Sequence, residues 1–237
     1  MPIPDKHLVS LVAPASFAAE QYQGLRLTVE RIARAREVKV IAISSPAAGD
    51  GKTVTAINLA GALARGSDER VLLMDADLRR PSVATQLGIA DAEVGMADAL
   101  NSGKTSFADV VRKLDAYNLD VIPAGTPRAG ISQLLRSPKL ETFLQEARQR
   151  YAYIVLDTPP LLPVFDSALL AKLVDGVLMV VSANRTPRKL LGEALNMLDE
   201  SKVLGIVFNR DARPLFGYYN SYYREYFPDM SHAANEA

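Results

Sequence analysis

Gly49-Asp-Gly-Lys52-Thr53 stands directly after a β-branched run and directly before an alanine- and leucine-rich stretch, the setting a phosphate-binding loop needs. Glycines let backbone N–H groups wrap a phosphate, and the helix that follows turns its positive dipole end toward it. In that pattern Lys52 contacts the β/γ-phosphates of a nucleotide and Thr53 a magnesium ion. Pro46 stands where the usual Gly-x-x-x-x-Gly-Lys pattern has its first glycine. A chance Gly-Lys-Thr in a surface turn is the plain alternative, and the strand-before, helix-after context argues against it.

Three acids close apolar runs elsewhere: Val71-Leu-Leu-Met-Asp75-Ala-Asp77, which continues Leu-Arg79-Arg-Pro81, and Tyr153-Ile-Val-Leu-Asp157. A buried strand ending in acids delivers them to the carboxyl edge of a parallel sheet, where open α/β proteins bind ligands. A helix cap accounts for one such aspartate but not for a pair followed by two arginines and a proline. Magnesium is usually held by one or two carboxylates plus substrate phosphates, so Asp77 and Asp157 flanking Thr53 suffice.

Little else in the chain competes for chemistry. It has 237 residues, no cysteine and two histidines, His7 and His232, so thiolate chemistry and disulfides are excluded. Net charge is zero, with 27 basic and 27 acidic residues, which argues against nucleic acid as the partner. No uncharged apolar run approaches the roughly 18 residues of a membrane helix. The mildly apolar stretch 8–19 is broken by Pro14 and serines and is not read as an export signal.

The elements that must carry these residues follow from periodicity. An amphipathic helix is expected over Ser16–Arg36, with Phe17, Leu25, Val29 and Ile32 near helical spacing. Strands are expected at Val38–Ser44, Val71–Met74, Leu119–Ile122, Tyr153–Leu156, Gly176–Val181 and Val203–Phe208, with helices at Thr53–Arg65, Ser137–Arg150 and Pro187–Ser201. Short apolar strands alternating with helices imply an α/β fold, a mostly parallel sheet covered on both faces. The division expected is an N-terminal segment and helix (1–36), a phosphate-loop domain (37–210) and a flexible tyrosine-rich tail (211–237).

Over nearly its whole length the chain resembles the bacterial tyrosine kinases of capsular and exopolysaccharide assembly. The resemblance is carried by Ser44-Ser-Pro-Ala-Ala-Gly-Asp-Gly-Lys-Thr53 as Walker A, Met74-Asp-Ala-Asp-Leu-Arg-Arg-Pro81 as the family's extra Walker A′ motif, Ile154-Val-Leu-Asp-Thr-Pro-Pro160 as Walker B, Gly205-Ile-Val-Phe-Asn209, and the terminal tyrosines. It implies a P-loop NTPase fold with ATP and Mg2+ as cofactors. ATP would lie on Ala48, Gly49, Asp50, Gly51, Lys52, Thr53 and Val54, with Asn209 at a strand end facing adenine. Asp75 would be the base that orients the acceptor tyrosine, Asp77, Asp157 and Thr53 would hold magnesium, and Lys52 and Arg79 would complete the catalytic set.

Glu20-Gln-Tyr-Gln23-Gly-Leu-Arg26 looks like the family's Glu-x-x-Arg-x-x-Arg element that joins subunits into a ring, with Gln23 in place of the middle arginine. An amide cannot make an arginine's charge-assisted fork, and a solvated helix face is the alternative. In the tail, Tyr218, Tyr219, Tyr222, Tyr223 and Tyr226 place five of nine tyrosines within nine residues. Their spacing of four suits an aromatic helical stripe, and their hydroxyls on a terminus suit phosphoacceptors entering a neighbour's active site.

The resemblance thus implies a tyrosine autokinase acting on its own tail in trans. Its partners would be other copies of itself, the cytoplasmic segment of a membrane polysaccharide co-polymerase that activates it, and a cognate tyrosine phosphatase. It would be cytoplasmic and recruited to the inner face of the membrane through that activator. The competing reading is a partitioning or septum-positioning ATPase of the deviant-Walker group, whose early loop lysine is replaced here by Ala47. A nucleotide-loaded regulator without catalysis is the third.

Overall fold

The computed structural model describes residues 4–68, 70–90, 92–101, 104–126, 130–162 and 164–211. The five tail tyrosines lie outside the described residues. The chain opens with α1 (Val9–Val12) and α2 (Phe17–Arg36), then β1 (Val40–Ser44), α3 (Lys52–Arg65), β2 (Val71–Asp75) and α4 (Val83–Leu87). Next come α5 (Met96–Asn101), α6 (Phe107–Val110), β3 (Arg112–Leu114), β4 (Leu119–Ile122), α7 (Ile131–Leu135) and α8 (Pro138–Arg150). It ends with β5 (Tyr153–Asp157), α9 (Asp166–Leu173), β6 (Gly176–Ser182), α10 (Arg188–Leu195) and β7 (Val203–Asn209).

The seven strands form one sheet in the order β3-β4-β2-β5-β1-β6-β7, parallel except for the β3–β4 pair. Alternate residues of each strand feed opposite cores, as the pleat requires. Val40 and Ala42 pack with Leu140, Phe143 and Leu170 on one face. Ile41 and Ile43 pack with Ile57, Leu59 and Leu63 of α3 and Val29 of α2 on the other. That two-sided burial is why the central strands read as unbroken apolar runs.

From β1 the chain moves to β2 on one side, and from β5 it moves to β6 on the other. This reversal between β5 and β1 is the switch point where such sheets open a ligand crevice at their carboxyl edge. The phosphate loop leaves β1 at that point.

Two expectations are adjusted. The helix expected over Pro187–Ser201 ends at Leu195, and a separate short turn, Glu200–Lys202, is nucleated by Asp199, which accepts from the Ser201 N–H at 2.9 Å. The antiparallel β3 was not anticipated, because an exposed edge strand reading Arg-Lys-Leu carries no apolar run. The leading helix matches its expectation, with the Ser16 hydroxyl accepting from Ala19 N–H at 3.2 Å as N-cap.

Candidate functional site at the carboxyl edge of the sheet

The loop between β1 and α3 turns on two glycines with left-handed backbone, Gly49 at φ 90° and Gly51 at φ 93°. Gly51 is fixed for a second reason: a Cβ there would lie 1.9 Å from Asn209 Nδ2. Asn209 donates that amide to the Asp50 carbonyl at 3.0 Å, so the residue expected to face adenine also clasps the phosphate loop from the end of β7. The Asp50 carboxylate accepts from the Thr186 hydroxyl at 2.7 Å and from Ala47 N–H at 3.3 Å. Thr186 in turn accepts from Ser182 N–H at 2.9 Å at the end of β6. The loop is therefore clamped from the carboxyl ends of both β6 and β7.

At the foot of α3 the expected residues converge. Lys52 Nζ lies 3.0 Å from Asp77 Oδ2 and 3.3 Å from Asp157 Oδ1. Thr53 donates its hydroxyl to Asp157 Oδ2 at 2.7 Å. Burial pulls the Lys52 ammonium down, but Asp157 and Asp77 outweigh it and hold it above its usual value. Burial pushes the Asp157 carboxyl up to about 6, against the pull of Lys52 and of the Thr53 hydrogen bond.

Asp75 sits beside them, 1% exposed. Its Oδ1 accepts from Asp77 N–H at 3.2 Å, and its Oδ2 accepts from Ser82 and Val83 N–H at 3.0 Å each, so it organises the turn into α4. Burial and the neighbouring Asp157 raise its pKa to about 7, opposed by those backbone donors and by Lys52.

The donor set suits a hard cation. Two carboxylates and a hydroxyl, all oxygen, converge where the Lys52 ammonium already sits as a stand-in positive charge. Among the described residues no group of three or more acid, imidazole or thiolate side chains could hold a metal by itself. Asp77, Asp157 and Thr53 thus fit magnesium only with substrate phosphates completing the shell.

Three residues were missed by sequence reasoning. Asp166, 1% exposed at the first position of α9, takes the Arg79 Nε at 2.5 Å. Ser132 donates to the other Asp166 oxygen at 3.0 Å, and Thr186 holds Asp50 as described. A helix-initiating Asp-Ser and a Thr-Pro were visible signals of local caps, but nothing local names their distant partners.

The residues expected at a subunit contact are placed differently from one another. Glu20 is exposed and Gln23 partly buried, whereas Arg26 lies over Gly66 at the end of α3 and pairs with Glu30 at 3.3 Å. A Cβ on Gly66 would sit 1.5 Å from Arg26 Nη1.

A model of the AAA domain family matches residues 38–202. Tyrosine-protein kinase YwqD of Bacillus subtilis (strain 168) is 32% identical over 91% of this chain and 92% of its own length. Succinoglycan biosynthesis transport protein ExoP of Rhizobium meliloti (strain 1021) is 33% identical over 94% of this chain, which spans 28% of that protein. The kinase domain of Escherichia coli tyrosine kinase ETK superposes with a TM-score of 0.83 at 26% identity, covering 92% of this chain and 84% of that one. Septum site-determining protein MinD from Pyrococcus horikoshii OT3 shares the fold at a TM-score of 0.60 and 20% identity, over 80% of this chain and 77% of that one. With its clamped phosphate loop, its paired acids on β2 and β5 and these relatives, the chain belongs to the bacterial tyrosine kinases within the AAA-domain family.

Proposed function

We propose that this chain is an ATP-dependent protein-tyrosine kinase of exopolysaccharide assembly that phosphorylates Tyr218, Tyr219, Tyr222, Tyr223 and Tyr226 of a neighbouring copy. The observation that carries the reading is the convergence of Lys52, Thr53, Asp77 and Asp157 at the phosphate loop, with Asp75, raised to about 7, beside them. A carboxylate poised near neutrality is suited to general base work.

The backbone of residues 48–54 would cradle the triphosphate. Lys52, released from its two carboxylates, would move onto the β/γ-phosphates. Thr53, Asp77 and Asp157 would hold a magnesium ion, which would supply charge neutralisation on those phosphates. The phenolic oxygen attacks Pγ in line, the bond from Pγ to the oxygen shared with the β-phosphate breaks, and ADP departs. The phenolic proton would pass to Asp75, whose carboxylate is oriented by the Ser82 and Val83 N–H groups.

Assembly is proposed through the Glu20, Gln23 and Arg26 face of α2 into a ring, with residues 37–210 as the catalytic unit and 211–237 as substrate. No helix among the described residues is long and apolar enough to cross a membrane. Membrane proximity would come from a partner's cytoplasmic segment, as the much greater length of ExoP suggests, and a tyrosine phosphatase would reset the tail. The partitioning-ATPase alternative has the MinD likeness of fold in its favour and Ala47, in place of a lysine, against it.

Incubation with magnesium and γ-labelled ATP separates the readings. Label on the protein, lost when the five tyrosines become phenylalanine, supports the kinase. Free phosphate alone would establish the ATPase instead.

A further inference from the structure

Three loops at the carboxyl edge meet through Arg79, Ser132 and Asp166. The loop after β2 brings Arg79, the start of α7 brings Ser132, and the start of α9 brings Asp166. Asp166 holds Arg79 Nε at 2.5 Å through Oδ2 and accepts the Ser132 hydroxyl at 3.0 Å through Oδ1, while Arg79 Nη2 reaches Ser132 Oγ at 3.4 Å. The triangle fixes the plane of the guanidinium.

The exposures are asymmetric: the side chain of Asp166 is 2% exposed and that of Arg79 is 41% exposed. A buried carboxylate needs a partner, and the positive end of α9 supplies part of that need. The arginine, by contrast, commits Nε to Asp166 and Nη2 to Ser132 and leaves much of its side chain exposed. It stands two residues after Asp77, which contacts Lys52 at 3.0 Å. An exposed arginine left to itself samples many rotamers, and ordering it carries an entropic cost. Anchoring the Nε side removes most of that freedom before any substrate arrives.

We propose that Asp166, steadied by Ser132, is a positioning residue that holds the Arg79 guanidinium at the acceptor side of the phosphoryl site, where it faces the negative charge that builds as the tyrosine is phosphorylated. The inference rests on the kinase reading and deepens it. Fixed cationic donors aimed at developing charge act on kcat rather than on nucleotide binding. Displacement of such a group by about 1 Å can cost on the order of 100-fold.

The test uses the full chain and a synthetic peptide of residues 211–237 as acceptor, with kcat and KM for peptide phosphorylation, affinity for a fluorescent ATP analogue, and melting temperature as readouts. Asp166→Asn should lower kcat roughly 10- to 100-fold with nucleotide affinity unchanged. In an Arg79→Ala background the same substitution should cost nothing further, because the residue it positions is gone. An equal loss in both backgrounds, or a fall in nucleotide affinity that accounts for the loss, overturns the proposal. If Asp166→Asn does not fold, Ser132→Ala carries the same comparison, with a loss in the wild-type background and none in Arg79→Ala expected, and equal losses overturning it. Absence of phosphorylated peptide with the wild type would defeat the kinase reading and this inference with it. Wild-type activity undiminished by Asp166→Asn would defeat the inference alone.

Discussion

Asp75 and Asp157 are register partners on adjacent parallel strands, β2 and β5, so two carboxylates that are 1% and 0% exposed stand side by side at the carboxyl edge. Burial disfavours the ionised form of each, and like charge adds to it, Asp157 acting on Asp75 and Asp77 on Asp157. Both carboxyls are accordingly raised, to about 7 and about 6.

That relationship sets a pH dependence for the protein without nucleotide or metal. A carboxyl whose folded pKa lies above its unfolded value favours folding most below the unfolded pKa, near 4, and loses that contribution as pH rises through the folded value. Melting in chelator should therefore fall between about pH 4 and pH 7 and level off above, and Asp75→Asn should flatten the decline and melt higher at pH 8. At this chain length 1 kcal/mol corresponds to roughly 2–4 °C. A steeper decline in the variant than in the wild type would contradict the side-by-side arrangement. Magnesium-dependent binding of a nucleotide should strengthen over the same pH range, since the metal requires the ionised forms.

Lys52→Met should abolish phosphotransfer, and it should also lower the melting temperature of the nucleotide-free protein. Lys52 is the partner of Asp77 and Asp157 in this structure, and removing one side of a buried pair costs about 3–5 kcal/mol when the other stays charged. Asp157 can escape part of that cost by protonating, so the loss should be smaller at pH 5.5 than at pH 8. Calorimetry at the two pH values checks it, and equal melting of variant and wild type at pH 8 would place Lys52 elsewhere.

Gly51→Ala should destroy nucleotide binding through two separate obstacles. The backbone at φ 93° is strained for any residue with a Cβ, and the new methyl would collide with the Asn209 amide at 1.9 Å. Asn209→Gly in the same chain removes the collision together with the Asn209 hold on the Asp50 carbonyl, and Asn209→Gly alone measures what that hold contributes. A fluorescent ATP analogue should therefore show partial recovery in the double variant, and full recovery would mean that the backbone conformation carries no cost.

How much of this was legible in the sequence differs residue by residue. Asp75, Asp77 and Asp157 were readable because strand, strand end and acid are contiguous, and a parallel sheet sends all such ends to one edge. Arg79 and Asp166 are 87 residues apart, and Asp50 and Thr186 are 136 apart, so their pairing is created by loops that carry no periodicity. Asn209 was legible as a strand end near the site, but its grip on the Asp50 carbonyl depends on the register of β6 with β7, where Ser182 faces Asn209. Arg26 was legible as a charge on a helix face, yet its position over Gly66 follows from how α2 crosses the end of α3, which spacing does not encode.

The tail supplies the last expectation. Residues 210–237 carry three arginines against four acids, a net charge of −1, so unmodified tails repel one another little. Each phosphotyrosine adds about −1.5 to −2, and five would add roughly −7.5 to −10 within nine residues. Tails gathered by a ring would then repel over about 8 Å, a Debye length at physiological salt, and could not remain beside Asp75, Asp77 and Asp157 of a neighbour. Unmodified protein should therefore assemble and phosphorylated protein should dissociate, with the effect weakening as salt rises. The variant with Tyr218, Tyr219, Tyr222, Tyr223 and Tyr226 changed to phenylalanine should stay assembled after ATP treatment. Light scattering before and after ATP decides it: if phosphorylated wild type and that variant share one assembly state, charge on the tail does not govern assembly, whatever the catalytic site does.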